Sequence, residues 1–252
     1  MIMGAAGFPV ADLGDEISQS LRFTKAQNLT RTHSAGTQTT FSCWLKIGDL
    51  TQNLGMMLIG AVDGTSYIGL FWEGAAQPTI SGDNSGTSFA YTSNAIRDSS
   101  AWYHFVYVRT TSDTKIYING TEATYRSKNL GTNSSLSNVT FAIGSYPNGT
   151  MKWDGYMADV HFIDGQTLLP TEFGRYQEDG VWVPKNYTGT YGTNGFHLTF
   201  DSSQTNGIGH DSSGQNNHFT ASGFDTGDVA LYSKDLTCAP GAINNATNAF
   251  NG

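Results

Sequence analysis

Five strand-like segments, whose side chains fall alternately on two faces, constrain this chain more than any other feature. They are Thr39-Thr-Phe-Ser-Cys-Trp-Leu-Lys46, Trp102-Tyr-His-Phe-Val-Tyr-Val-Arg109, Lys115-Ile-Tyr-Ile-Asn-Gly-Thr121, Phe141-Ala-Ile-Gly-Ser145 and Trp153–Asp164. Such alternation marks β-strands with one face toward a core. Phe41, Cys43, Leu45 and Ile47 fall on one face, and Ser42, Trp44 and Lys46 on the other. Trp102–Arg109 is apolar on both faces, which suits the middle of a curved sandwich. Asn119-Gly120 is a two-residue hairpin signal, so Thr121–Arg126 is expected to pair back. In Trp153–Asp164, the longest segment, Tyr156, Ala158, Val160 and Phe162 are expected to face inward.

Composition supports an all-β chain of two antiparallel sheets packed face to face. Only 13% of the 252 residues are charged and 30 are glycine, leaving little for exposed helix faces laced with ion pairs. Further strands are expected at Ser20–Thr24, Met56–Ile59, Tyr67–Trp72, Val139–Gly144, Val181–Val183 and around Phe196, Leu198 and Phe200. The turn Asp63-Gly64 separates two of them. Leu169–Tyr176 is the one short stretch that reads as helical, because Thr171 and Glu172 suit a first turn. The expected organisation is an extended arm at 1–19, one sandwich domain at 20–232 and an irregular tail at 233–252.

The net charge of −8 gives nucleic-acid binding no electrostatic footing. The first residues lack the positive flank and long apolar run of a signal peptide, and no stretch is long enough to span a membrane. Synthesis in a cytoplasm without membrane insertion is therefore expected. Cys43 and Cys238 read either as buried free thiols or as one disulfide.

Read in order, Phe41–Lys46, Trp102–Arg109, Lys115–Gly120, Phe141–Gly144 and Asp154–Val160 resemble the laminin-G/pentraxin-type branch of the concanavalin A-like lectin/glucanase superfamily. The resemblance implies a jelly-roll sandwich. A narrower pattern runs through Trp153–Gln166, Leu169–Gly174, Tyr187-Thr-Gly-Thr-Tyr-Gly-Thr-Asn-Gly-Phe-His-Leu198 and Asp211-Ser-Ser-Gly-Gln-Asn-Asn217. It is similar to virion-associated proteins of marine tailed bacteriophages. That likeness implies a non-enzymatic structural or display protein of the virion: a fibre, tail appendage or capsid decoration. Implied partners are other virion proteins, a host-surface glycan and further copies of the chain, trimers being frequent in fibres. Those relatives continue past Asp228–Ser233 where this chain soon stops, which implies a compact module attached by its termini. A free carbohydrate-binding lectin is the alternative, and a polysaccharide hydrolase a third.

The candidate chemistry is sparse. Glycoside hydrolysis needs two carboxylates at a set spacing. The Glu-x-Asp-x-x-Glu run of the superfamily's glucanases does not occur, and Asp159 and Asp164 fall on opposite faces by parity. No Cys-x-x-Cys, His-x-His or helical His pair offers a transition-metal site. Calcium is the ion that suits the resemblance: Asp211, Asn216 and Asn217 supply hard oxygen donors around a turn glycine. The same loop also reads as an Asx turn in which Asp211 caps its own backbone. Trp72, Tyr91, Tyr146 and Trp153 lie near strand ends or loops and are candidates for stacking on a sugar ring, with core or inter-subunit packing as the competing use.

Overall fold

The computed structural model describes residue 15 and residues 17–50, 56–62, 67–73, 79–84, 88–93, 96–129, 135–225 and 227–231. Of 56–59, 61–62, 67–73, 79–84, 88–89 and 230–231 it describes the backbone alone. In chain order the strands are β1 (Gln19–Thr24), β2 (Asn28–Ala35), β3 (Thr39–Ile47), β4 (Met56–Val62), β5 (Tyr67–Glu73) and β6 (Thr79–Asn84). There follow β7 (Ser88–Thr92), β8 (Trp102–Arg109), β9 (Thr114–Ile118), β10 (Thr121–Glu122), β11 (Tyr125–Asn129) and β12 (Leu136–Ile143). The last are β13 (Asp154–Asp164), β14 (Gly174–Tyr176), β15 (Trp182–Pro184), β16 (Phe196–Leu198), β17 (Thr220–Ser222) and β18 (Val229–Leu231).

Two eight-stranded antiparallel sheets form the sandwich. Sheet A runs β10-β9-β8-β3-β13-β1-β18, with β16 also against β13; sheet B runs β11-β7-β6-β5-β4-β12-β2-β17. This is the all-β pair of antiparallel sheets expected from the strand pattern, and it is consistent with the jelly-roll sandwich that the resemblance implied. Between the sheets lies the main core, which takes Phe41, Cys43, Leu45 and Ile47 from β3, Phe105 and Tyr107 from β8, and Phe141 and Ile143 from β12. Each such aromatic or branched side chain contributes roughly 1.5–3 kcal/mol of hydrophobic stabilisation.

A third layer explains why β8 is apolar on both faces. The opposite side of sheet A carries Trp44, Trp102, Val106 and Val108, and the segment after β13 folds back across it. Trp182 packs with Trp44, Trp102 and Ala158. Phe173 and Tyr191 pack with Val106, Val108 and Ile163. Cys43 is a buried free thiol; Cys238 and the Asp63-Gly64 turn lie outside the described residues.

Three local expectations are corrected. The helix expected at Leu169–Tyr176 is a single 3₁₀ turn, Pro170–Glu172, after which β14 pairs with β15. Burial of Phe173 in the outer layer ends the turn before a second can form. Asn119 (φ 48°) and Gly120 (φ 80°) make the expected tight turn, but only Thr121 and Glu122 pair back. Ala123 and Tyr125 turn into the main core, and β11 continues beside β7 in sheet B. Finally, β13 carries a bulge. Ala158 lies opposite Trp44 and His161 opposite Ser42, so three steps on β13 match two on β3. Parity therefore reverses within the strand. Met157, Val160 and Phe162 enter the main core, whereas Tyr156 and Ala158 join the outer layer.

Candidate functional site

The bulge brings together three titratable groups, Asp159, His161 and His197. Asp159 occupies it with φ 49°, a left-handed conformation that Asp tolerates better than most residues. Beyond it β13 pairs with β16, and His161 stands directly across from His197. Their imidazoles stack with centroids 4.1 Å apart and 14° between planes. The Asp159 carboxylate meets both rings, Oδ1 at 2.7 Å from His197 Nε2 and Oδ2 at 3.0 Å from His161 Nε2. On its far side, His161 Nδ1 lies 2.9 Å from the Tyr191 hydroxyl of the outer layer.

Burial works to raise the Asp159 pKa, but the adjoining His161 and His197 rings outweigh it and hold the carboxyl below the usual range. His161 is pushed down by burial, which its proximity to Asp159 only partly offsets. Burial likewise raises the Tyr191 phenol, so it remains protonated. Two imidazole nitrogens and one carboxylate within 4.8 Å of one another are a donor set that could hold a metal ion. The sequence reading did not find this group; its one visible trace was the Asp159-x-His161 pair on the longest strand.

The sugar-stacking candidates do not converge. Trp153 is 0% exposed in the main core and offers no ring face to a ligand, so its use is core packing and its candidacy for sugar stacking is corrected. The backbone of Trp72 lies in β5 opposite Ile80 and Met56, and its side chain is outside the described residues. Tyr91, on β7, is half-buried with the Arg126 guanidinium 5.6 Å from its ring centroid. Tyr146 is half-buried in the turn after β12, where its amide donates to the Thr150 carbonyl. Three strands separate β7 from β12, a span of about 19 Å at ordinary strand spacing, so Tyr91 and Tyr146 belong to different places.

The loop at 211–217 is built as an Asx turn. Asp211, 3% exposed, accepts from the His197 and Ser213 amides at Oδ1 and from the Asn217 amide at Oδ2. Asn217 Nδ2 donates to the Thr193 and Gly195 carbonyls, and Asn216 is exposed with φ 59°. The carboxylate is thus committed to backbone amides, and calcium would have to displace them.

The two outer surfaces of the sandwich differ. The outer layer seals that of sheet A. On sheet B, Thr30, Thr32 and Ser34 alternate with the buried Leu29, His33 and Ala35, and Thr140 stands exposed opposite Thr32. Toward its other end the same sheet carries Tyr91 and Arg126.

Comparison with known proteins bears on the fold. A model of the concanavalin A-like lectin/glucanases superfamily matches residues 18–172. A candidate carbohydrate binding protein from Bacteroides ovatus aligns over 91% of this chain and 63% of its own, with TM-score 0.62 and 15% identity. The heptameric SAP-like pentraxin of Limulus polyphemus aligns over 63% of this chain and 80% of its own (TM-score 0.47, 16% identity). Domains LG4-5 of the mouse laminin alpha1 chain align over 63% and 45%, with TM-score 0.47 and 10% identity. No curated protein matches the sequence significantly.

Proposed function

The chain belongs to the concanavalin A-like lectin/glucanases superfamily, and from that premise we propose that it is a non-catalytic glycan-recognition module displayed on a phage particle. The observation that carries the glycan reading is the asymmetry of the sandwich. One outer surface is sealed by the chain's own third layer, whereas among the described residues sheet B carries threonine and serine hydroxyls on β2 and β12 and, about 19 Å or more away on β7, the Tyr91 ring with the Arg126 guanidinium over it. Sugars are held by such a combination: a ring face for C–H groups and planar donors for hydroxyls. The non-catalytic reading is supported by Asp159, whose carboxylate is engaged by two imidazoles and turned toward the outer layer of sheet A, away from that surface.

The phage setting rests on the narrower resemblance. Its residues build one packed unit: Ala158, Phe173 and Tyr191 sit in the outer layer, Asp211 holds the His197 amide of β16, and Asn217 braces the turn before that strand. A shared set of layer-building residues supports common descent of the whole module better than scattered surface matches would. In that setting the chain contacts other virion proteins and copies of itself.

A glycan array with the purified chain tests recognition. Binding to a subset of glycans, lost in Tyr91→Ala without a change in melting temperature, is expected; no glycan bound by the wild type ends that part of the proposal. Mass spectrometry of purified particles tests the setting, and absence of the chain from them overturns it.

A further inference from the structure

We infer that Asp159, His161 and His197 form a binding site for one divalent transition-metal ion of the zinc class. The donor set comes first. Two imidazole Nε2 atoms and a carboxylate, all within 4.8 Å, match the nitrogen and oxygen ligands of zinc and are too soft for calcium or magnesium. The scaffold comes second. His161 and His197 are direct cross-strand partners, so the sheet itself fixes their spacing, and the bulge aims Asp159 between them.

An independent observation points to a ligand. His161 is 2% exposed, and its Nε2 has no hydrogen-bond partner although Asp159 Oδ2 stands 3.0 Å away. The two atoms face each other outside hydrogen-bond geometry. The nitrogen therefore has a charge partner but no well-aligned hydrogen bond, and a cation bound between nitrogen and carboxylate would give both a directed ligand bond. Behind the ring, the Tyr191 hydroxyl at Nδ1 is the outer partner that orients a ligating histidine. His197 and Asp159 keep 20% and 17% of their side chains exposed, which provides an entry path and room for water as the remaining ligand. Bound there, the ion would tie β13 to β16 and, through Tyr191, pin the outer layer to sheet A.

The test uses the full chain, stripped with a chelator and dialysed. Zinc chloride is titrated calorimetrically and cobalt(II) chloride by visible absorption. The site predicts about one ion per chain, tetrahedral cobalt bands and a melting temperature raised by several degrees. His197→Ala abolishes the bands. Asp159→Asn, nearly isosteric, weakens cobalt binding by at least about tenfold. Tyr191→Phe, which leaves all three donors in place, shifts the bands or weakens binding without abolishing it. Near-UV circular dichroism confirms that each variant keeps its core. A wild type that binds no cobalt, as a purely ionic Asp–His group would, overturns the proposal. Bands that persist unchanged in both His197→Ala and Asp159→Asn overturn it equally.

Discussion

Trp182 donates its indole N–H to His104 Nδ1 at 3.0 Å, joining the covering segment to the face of sheet A that it hides. That bond fixes the imidazole. Nδ1 is the acceptor, so Nε2 carries the proton and donates to Ser42 Oγ at 2.8 Å. Trp44 stacks on the same ring with centroids 4.7 Å apart. The outer layer is thereby held by directed bonds as well as by burial.

Trp182→Phe keeps most of the apolar contact and removes the donor, leaving a buried ring nitrogen unpaired. The expected cost is about 1–3 kcal/mol, and Trp182→Ala, which also opens a cavity, costs about 3–5 kcal/mol. Urea denaturation followed by tryptophan fluorescence measures both. Equal stability of Trp182→Phe and wild type would show that the bond contributes nothing net.

Acid should weaken the fold well above the range in which carboxylates titrate. Burial, with Arg31 adding to it, depresses the His33 pKa to about 3, and burial depresses His104 to about 3 as well. His33 packs among Phe141, Phe162 and Phe196. In the unfolded chain both histidines titrate near 6.5, so below that pH the unfolded state binds protons that the folded state refuses. Stability is thus whole above about 6.5 and falls toward about pH 3, by up to about 1.4 kcal/mol per pH unit for each histidine. Urea midpoints between about pH 7 and about pH 4.5 test this, a window that Asp159 barely touches: its folded pKa is depressed, so its contribution is lost only as pH falls through and below the unfolded carboxylate value of about 3.9. His33→Leu should flatten the dependence; a slope unchanged in that variant would assign it elsewhere.

Asp211 is expected to act as a brace and not as a calcium ligand. Asp211→Ala strips the acceptor from three backbone amides, one of them on β16, and should cost about 2–3 kcal/mol. Adding calcium to metal-free protein should leave the melting temperature of both wild type and variant where it was. A calcium-dependent rise confined to the wild type would restore the ion-binding reading of the loop.

How far the sequence was legible follows from these residues. Alternation located β3 and β8 and sorted their faces correctly, because a continuous ladder preserves parity from end to end. It failed in β13 because one extra residue at Asp159 reverses every assignment on one side, and nothing local distinguishes that Asp from a solvent-facing strand residue. The helix at Leu169–Tyr176 failed for a different reason: Thr171 and Glu172 do lie in a helical turn, but no side chain caps it and tertiary burial of Phe173 overrode the local preference. Trp153 lies just before β13, where local pattern leaves core and surface open, and packing between the sheets decided it. Of the Asp159–His161–His197 group only the Asp159-x-His161 pair shows in the sequence, because strand pairing, not sequence spacing, brings His197 to β13.

The Asn119-Gly120 turn supplies a prediction that separates two physical causes. Gly120 has φ 80°, and a Cβ there would overlap the ring of Trp182. Gly120→Ala therefore carries a backbone cost of about 1–2 kcal/mol for the left-handed conformation, and a steric cost from displacing the indole. The first belongs to the turn alone, while the second exists only if Trp182 is in place. In a Trp182→Ala background the substitution should lose the steric part and keep the backbone part. A double-mutant cycle should then show a coupling of about 0.5 kcal/mol or more, the doubly substituted chain being more stable than additivity predicts. Strict additivity would mean that the covering segment shifts aside at no cost, and that the contact between this hairpin and Trp182 does not help to hold the third layer in place.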